Sequence, residues 1–538
     1  MGRNAEIHFG NNPTTLDIQR SKFKIAFDHK TTFNEGELIP FYESEVLPAD
    51  TIKCKLSALV RMSTPIFPVL DNAYLDTYFF FIPYRLVWEN FKVFMGENAS
   101  GAWTNLVTKQ IPQTTSPTGG WNAKTLADYF GIPTKVSNLS VTSLPFRSYV
   151  LCYNEWFRNE NLIAPAQNAK SDSTTTGDQV TAVKGGAPLK VGRLNDYFST
   201  ALPTPQKGPD VFVNLGGTAP LLFATPTNTP SGTTAITTLD GKEMAAWGEY
   251  YDGSPDYVET RLLATDGTTA NLHENKAINL KADLSQSTGM TINELRMSFA
   301  IQRMYEKDAR GGTRYREIIR SHFSTIVPDY RVQVPEYLGG KRVPINMTQV
   351  VQTSETAGTP QGNTSAYSLT IDTSDMFSIS FTEHGIILGL CCVRVDRTYQ
   401  QGIERFWSRK DREDFYFPSL ANIGEQAIKN KEIYAQGTSA DEEVFGYQEA
   451  WAEYRYKPNR VSGEFRSNYT TPLDTWHYAD YYTSQPILGQ TWYEESDTNI
   501  ARTLAVTTQS QFLADFYVDT TWVRPLPMYS IPGLIDHH

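Results

Sequence analysis

Along residues 52–62 the side chains alternate in character. Ile52, Cys54, Leu56, Ala58, Val60 and Met62 fall on one face, and Lys53, Lys55, Ser57 and Arg61 on the other. A period of two predicts a half-buried β-strand. Residues 78–82 are apolar at every position up to Pro83, which predicts a strand covered on both faces. Phe377, Ile379 and Phe381 alternate with Ser378, Ser380 and Thr382, and residues 386–395 read as a further strand after His384-Gly385. Near the end, Phe512, Ala514, Phe516, Val518 and Trp522 alternate once more before Pro525.

The period changes between these blocks. Residues 86–95 predict a short helix stopped by Gly96. Residues 146–160, opened by Pro145, predict a second, with Tyr149, Tyr153, Trp156 and Phe157 at helical spacing. The clearest helix spans 291–310, with Thr291 and Glu294 at capping-box spacing and Gly311-Gly312 behind it. Its apolar residues Leu295, Met297, Phe299, Ile301 and Met304 wrap much of the circumference, so it is expected to pack on more than one side. Residues 113–120, 166–187 and 354–366 are rich in Thr, Ser, Gly and Gln and read as loops. Residues 209–290 form the longest departure, opening with the Thr/Pro-rich stretch 216–238.

Strands thus concentrate in 23–83 and 369–524, with a helix- and loop-rich insertion at 84–208, an excursion at 209–290, and a helical, basic segment at 291–340. If the end strands share one sheet system, a mainly-β sandwich with long, partly helical insertions is more economical than a string of domains. A chain that spends so much length on loops exposes much surface, and in an assembly such surface becomes contact area.

Charge sharpens the outline. The chain carries a net charge of −11, which argues against a surface devoted wholly to nucleic acid. Residues 209–290 hold ten acids and four bases, whereas 296–342 hold ten bases and five acids. Two surfaces facing different surroundings are expected. Arg296, Arg303 and Arg310 recur every seven residues, with Lys307 in the same arc, so all four project along one helical stripe. The cations continue as Arg314, Arg316 and Arg320, interleaved with Tyr315 and Phe323. Such a pattern suits phosphate contact with base stacking on single-stranded nucleic acid. It equally suits arginines paired with carboxylates inside the subunit or on a neighbouring one.

Catalytic chemistry is not indicated. No zinc-protease, P-loop, dinucleotide-binding or nucleophile-elbow motif is present, and pairs such as Glu442-Glu443 and Glu494-Glu495 read as solvated faces. Apart from the terminal pair His537-His538, the histidines are isolated at ligand spacing, so neither metal nor cofactor is expected. Cys54, Cys152, Cys391 and Cys392 are too few and scattered for a disulfide scaffold and are expected as buried core thiols. Residues 1–5 open no apolar stretch and no run reaches membrane-span length, so neither a signal peptide nor membrane insertion is expected.

Several segments, ordered along almost the whole chain, resemble the major capsid proteins of the gokushoviruses, a subfamily of the Microviridae. They are residues 144–162, 196–208, 293–312 followed by Tyr315-Arg316-Glu317, 330–340 and 515–527. The resemblance implies a single viral jelly roll of two four-stranded antiparallel sheets, assembled into a T=1 icosahedral shell around circular single-stranded DNA. Implied partners are further copies of the chain, an internal scaffolding protein, a DNA pilot protein, a small basic DNA-binding protein and a host-surface receptor. The basic partner would account for an acidic shell protein. The implied place is the virion, assembled in a bacterial cytoplasm. Residues 209–290 stand where the family carries a variable insertion that protrudes at the three-fold axes towards the host. Competing readings are a carbohydrate-binding or carbohydrate-active β-sandwich and a trimeric phage adhesin.

Overall fold

The computed structural model describes residues 19–97, 109–209, 211, 292–356, 358, 361–496 and 498–529, plus the backbone of strands within 221–282. Eight long strands carry the architecture. In chain order they are β1 (Ser21–Phe33), β2 (Ile39–Val46), β3 (Thr51–Met62), β4 (Ala73–Pro83), β5 (Glu336–Pro344), β6 (Thr370–Ser380), β7 (Gly385–Val395) and β8 (Phe512–Arg524). One four-stranded sheet runs β1-β8-β3-β6 and the other β5-β4-β7-β2. Every pairing within them is antiparallel. Chain neighbours such as β1 and β2 thus lie in different sheets, the wiring of a jelly roll, as the family resemblance implied.

Alternation explains which sheet faces what. Ile52, Cys54, Leu56, Val60 and Met62 of β3 are buried with Phe512, Phe516, Val518 and Trp522 of β8, while Lys53, Lys55 and Arg61 face outwards. Phe41 of β2 joins the sheets, stacking on Phe516 at 4.6 Å between ring centres and meeting Phe79 edge-on at 5.4 Å. The second sheet is covered on both sides. Phe79 and Phe81 of β4 point into the core between the sheets, whereas Phe80 and Ile82 point into a second core beneath the helical insertion. Strand β7 divides likewise, so the adjacent thiols of Cys391 and Cys392 enter opposite cores. All four cysteines are free and buried, and burial pushes the Cys54 thiol up to about 12.

The second core is roofed by helix α1 (Leu144–Cys152), which has Pro145 in its first turn and continues as a wider π-helical turn from Tyr153 to Phe157. The helix expected over 86–95 is reduced to a 3-10 turn, Tyr84–Leu86, and a single α-turn, Phe91–Phe94. Trp88 and Asn90 both turn towards Asp172, at 2.7 and 2.9 Å, and this pulls the intervening backbone out of the helix. Parts of the expected loops are also tied down. Gln113–Thr115, Ser140–Thr142 and Thr175–Thr176 form a small sheet, clasped by the Thr114 hydroxyl against those of Ser143 and Thr175.

The chain separates into two compact units, residues 1–205 with 308–538, and residues 206–307. Within the second, Ile236–Thr237, Glu243–Tyr251 and Val258–Ala264 form an antiparallel sheet, and Leu221–Phe223 pairs with Leu280–Ala282. The stretch 216–238 and the cap at Thr291 lie largely or wholly outside the described residues.

Candidate nucleic-acid and subunit interface

Helix α2 spans Ile292–Gly311, and Gly312 at φ +92° ends it. A side chain at Gly312 would collide with the Glu317 carboxylate, so a left-handed residue and a close approach coincide there. Helix α3, Tyr315–Phe323, follows at once, with Glu317 accepting a 3.1 Å hydrogen bond from the Arg314 backbone N–H. Among the described residues, Ala309 is the buried one of α2, while Met297 is 63% and Phe299 66% exposed. At 100° per residue, Phe299 and the exposed Met304 flank the arc that carries the cations.

The seven basic residues divide into two groups. Arg310 pairs with Glu425 and lies 3.5 Å from Glu449. Arg314 meets Glu160 at 2.9 Å and Glu317 at 3.3 Å, and donates to the carbonyls of Asn154 and Arg158. Arg316 pairs with Asp329 at 3.3 Å, donates to the Glu155 carbonyl and lies 4.0 Å over the Trp156 ring. Arg314 and Arg316 bind the start of α3 to the turn after α1, beside a half-open cavity of about 580 Å³ walled by Trp156, Tyr337, Tyr493 and Arg394. Arg296, Arg303, Lys307 and Arg320 are exposed and make no ion pair among the described residues. Spacing alone placed all seven in one class; the missing information was which carboxylates fold back onto them.

A further charged constellation escaped the sequence because its members lie hundreds of residues apart. Arg397, almost fully buried, pairs with Asp480 at 3.1 Å, Glu35 at 3.3 Å and Glu495. Arg193 meets the other oxygen of Asp480 at 2.6 Å and lies 4.4 Å over the Trp492 ring. Burial alone would raise the Asp480 carboxyl, but Arg193 and Arg397 hold it well below the usual carboxylate range. Glu35 goes the other way, raised well above its ordinary value by burial despite Arg397. The arrangement clamps segments from four parts of the chain; it presents no nucleophile beside a base and opens no site for a reacting group. Among the described residues no cluster of three His, Cys, Asp or Glu side chains is placed to hold a metal ion. No helix among them is long and apolar enough to cross a membrane.

Residues 12–534 match the family described as capsid protein (F protein). The chain is 41% identical over 529 residues to capsid protein VP1 of Bdellovibrio phage phiMH2K, covering 96% of each. It is 41% identical over 549 residues to capsid protein VP1 of Spiroplasma virus 4, covering 99% of this chain and 98% of the relative. Capsid protein VP1 of Chlamydia phage 1 is 38% identical over 576 residues, with 97% and 96% covered.

Proposed function

Because this chain belongs to the phage capsid protein (F protein) family of the Microviridae, we propose that it closes a T=1 icosahedral shell around a circular single-stranded DNA genome. It is a structural protein of the virion that works as an oligomer, not an enzyme. The observation that carries the finer reading is a jelly roll of two four-stranded sheets with both faces of one sheet buried inside the chain. Such a unit is rigid enough to tile and leaves its insertions for contacts between tiles.

In this reading the exposed cations Arg296, Arg303, Lys307 and Arg320 contact DNA phosphates, while Arg310, Arg314 and Arg316 brace the fold of their own subunit. Exposed cations that meet no carboxylate among the described residues support that assignment, since phosphate contact needs charges not already neutralised. The chain divides into strands mainly at 23–83 and 369–524, insertions at 84–208 and 209–290, and the basic segment at 291–340. The 209–290 insertion forms the three-fold protrusion that meets a host receptor. A scaffolding protein, a DNA pilot protein and a small basic DNA-binding protein assist assembly in the bacterial cytoplasm.

Imaging of the chain expressed with its scaffolding protein tests the reading. Closed T=1 particles are expected; a monomer or an open cyclic trimer would contradict it. Deletion of residues 216–285 is expected to leave particles intact and to reduce adsorption to host cells. Loss of assembly would instead make that segment part of the shell wall.

A further inference from the structure

Residues 401–424 form an ordered apron in which no residue is fully buried. That is a costly arrangement for a segment so rich in rings. Trp407 is 69% exposed, and Phe406, Phe415, Tyr416 and Ile423 are exposed as well. An apron of this kind lacks a core of its own, yet its conformation is pinned. Arg405 donates to the Ala427 carbonyl at 2.8 Å and pairs with Glu432 at 3.3 Å. Trp451 donates its ring N–H to the Leu420 carbonyl at 2.9 Å, and Asp414 accepts from the backbone of Lys410 and Asp411. Arg409 sits between the rings of Phe415 and Tyr454 and pairs with Glu453. The outward rings are therefore held in place before any partner arrives, which lowers the entropy lost on binding.

From this geometry we infer that the apron is a docking surface for a second copy of this chain. The inference rests on the shell reading and adds to it the surface involved. Three observations favour protein over nucleic acid as the occupant. Residues 401–424 carry four bases and four acids, so the segment offers no net charge to attract phosphate. Two long cations at its rim, Lys457 and Arg460, share the Glu404 carboxylate and are engaged within the subunit. Beside Phe406 lies a half-open cavity of about 460 Å³ walled by Tyr197, Ile403, Tyr454, Tyr456 and Pro458, which suits an apolar side chain of a neighbour. Tyr454 and Arg409 line this cavity and Trp407 packs against Phe406 at its edge, and Trp, Tyr and Arg are the residues that dominate interface hot spots. The stretch also matches the roughly 20–30 residues that each side contributes to a standard interface. A capsid protein meets its own copies along its perimeter, and this makes a second copy the occupant.

The four native cysteines are buried, so Ser419→Cys places a readily accessible thiol at the exposed rim without removing a ring. In closed particles its reaction with a maleimide is expected to slow by about tenfold or more relative to dissociated subunits. Trp407→Ala is expected to lower the yield of closed particles by about tenfold while leaving the circular dichroism of the subunit unchanged. Intact particles of the Ser419→Cys variant whose introduced thiol reacts as fast as in free subunits would overturn the inference and leave the shell reading standing. Protection that is lost when the scaffolding protein is removed from closed particles would overturn it too, by naming another occupant. A wild-type chain that never closes into particles would sink the shell reading and the inference with it.

Discussion

Two regions of this protein use arginine in opposite ways. Arg193 and Arg397 are buried among Glu35, Asp480 and Glu495, each charge meeting another within hydrogen-bond range. On α2, Arg296, Arg303 and Lys307 stand in solvent with no ion pair among the described residues. The buried cluster is a clamp: removing one partner would strand a charge in a low-dielectric interior. The exposed stripe adds little to the subunit's own stability, and its charges remain available to an anionic partner. Arg310, Arg314 and Arg316 stand between the two, less open than the stripe or committed to carboxylates and carbonyls of their own chain.

The clamp gives the largest expected effect. Asp480→Ala leaves Arg193 and Arg397 short of their shared carboxylate, and Asn499 without the oxygen it donates to. A loss of about 3–5 kcal/mol is expected in urea unfolding of the subunit, with little dependence on salt. A change below about 1 kcal/mol would show that the cluster is not a clamp.

Arg316→Ala comes next. It removes an ion pair, a hydrogen bond to a carbonyl and a stacked guanidinium, for an expected cost of about 1–3 kcal/mol. Thermal melts of the subunit should register it.

Glu43 sharpens the comparison from the side of the acid. Asp480 is buried with arginines and held low, whereas burial is the influence that acts on Glu43, and it pushes that carboxyl up to about 7. An unfolded chain ionises this group near 4.5, so the folded state keeps the proton longer. The contribution of Glu43 to stability should therefore fall as pH rises from about 4.5 to about 7 and level off beyond. Glu43→Gln is expected to remove that fall, gaining on the order of 2 kcal/mol at pH 8 and nothing at pH 4. Equal gains at both pH values would place the effect elsewhere.

How much of this was legible in the sequence follows from the range of the forces involved. Strands β3 and β8 announce themselves because one face is dry and the other wet, and β4 and β7 because both faces are dry. Strand β5 did not stand out in the basic segment. Gly339 and Gly340 interrupt its pattern, and several of its residues are exposed, so alternation is weak. The spacing of Arg296, Arg303 and Arg310 located a helical stripe, and α2 carries it. What spacing could not reveal was the partition of the seven basic residues, because Glu160 and Glu425 approach from more than a hundred residues away. The Asp480 clamp was invisible for the same reason. The aromatic run 405–417 was readable but carries no period, and only its exposure in the fold marks it out.

The smallest expected effect on the subunit is also the most telling for function. In particles of the double variant Arg303→Gln with Lys307→Gln, DNA content and subunit melting temperature can be measured together. Intact shells with clearly less DNA, and a stability change within about 0.5 kcal/mol, are the expected result. Full DNA content in those shells, or failure of the shells to form, would contradict the assignment of the exposed stripe to the genome.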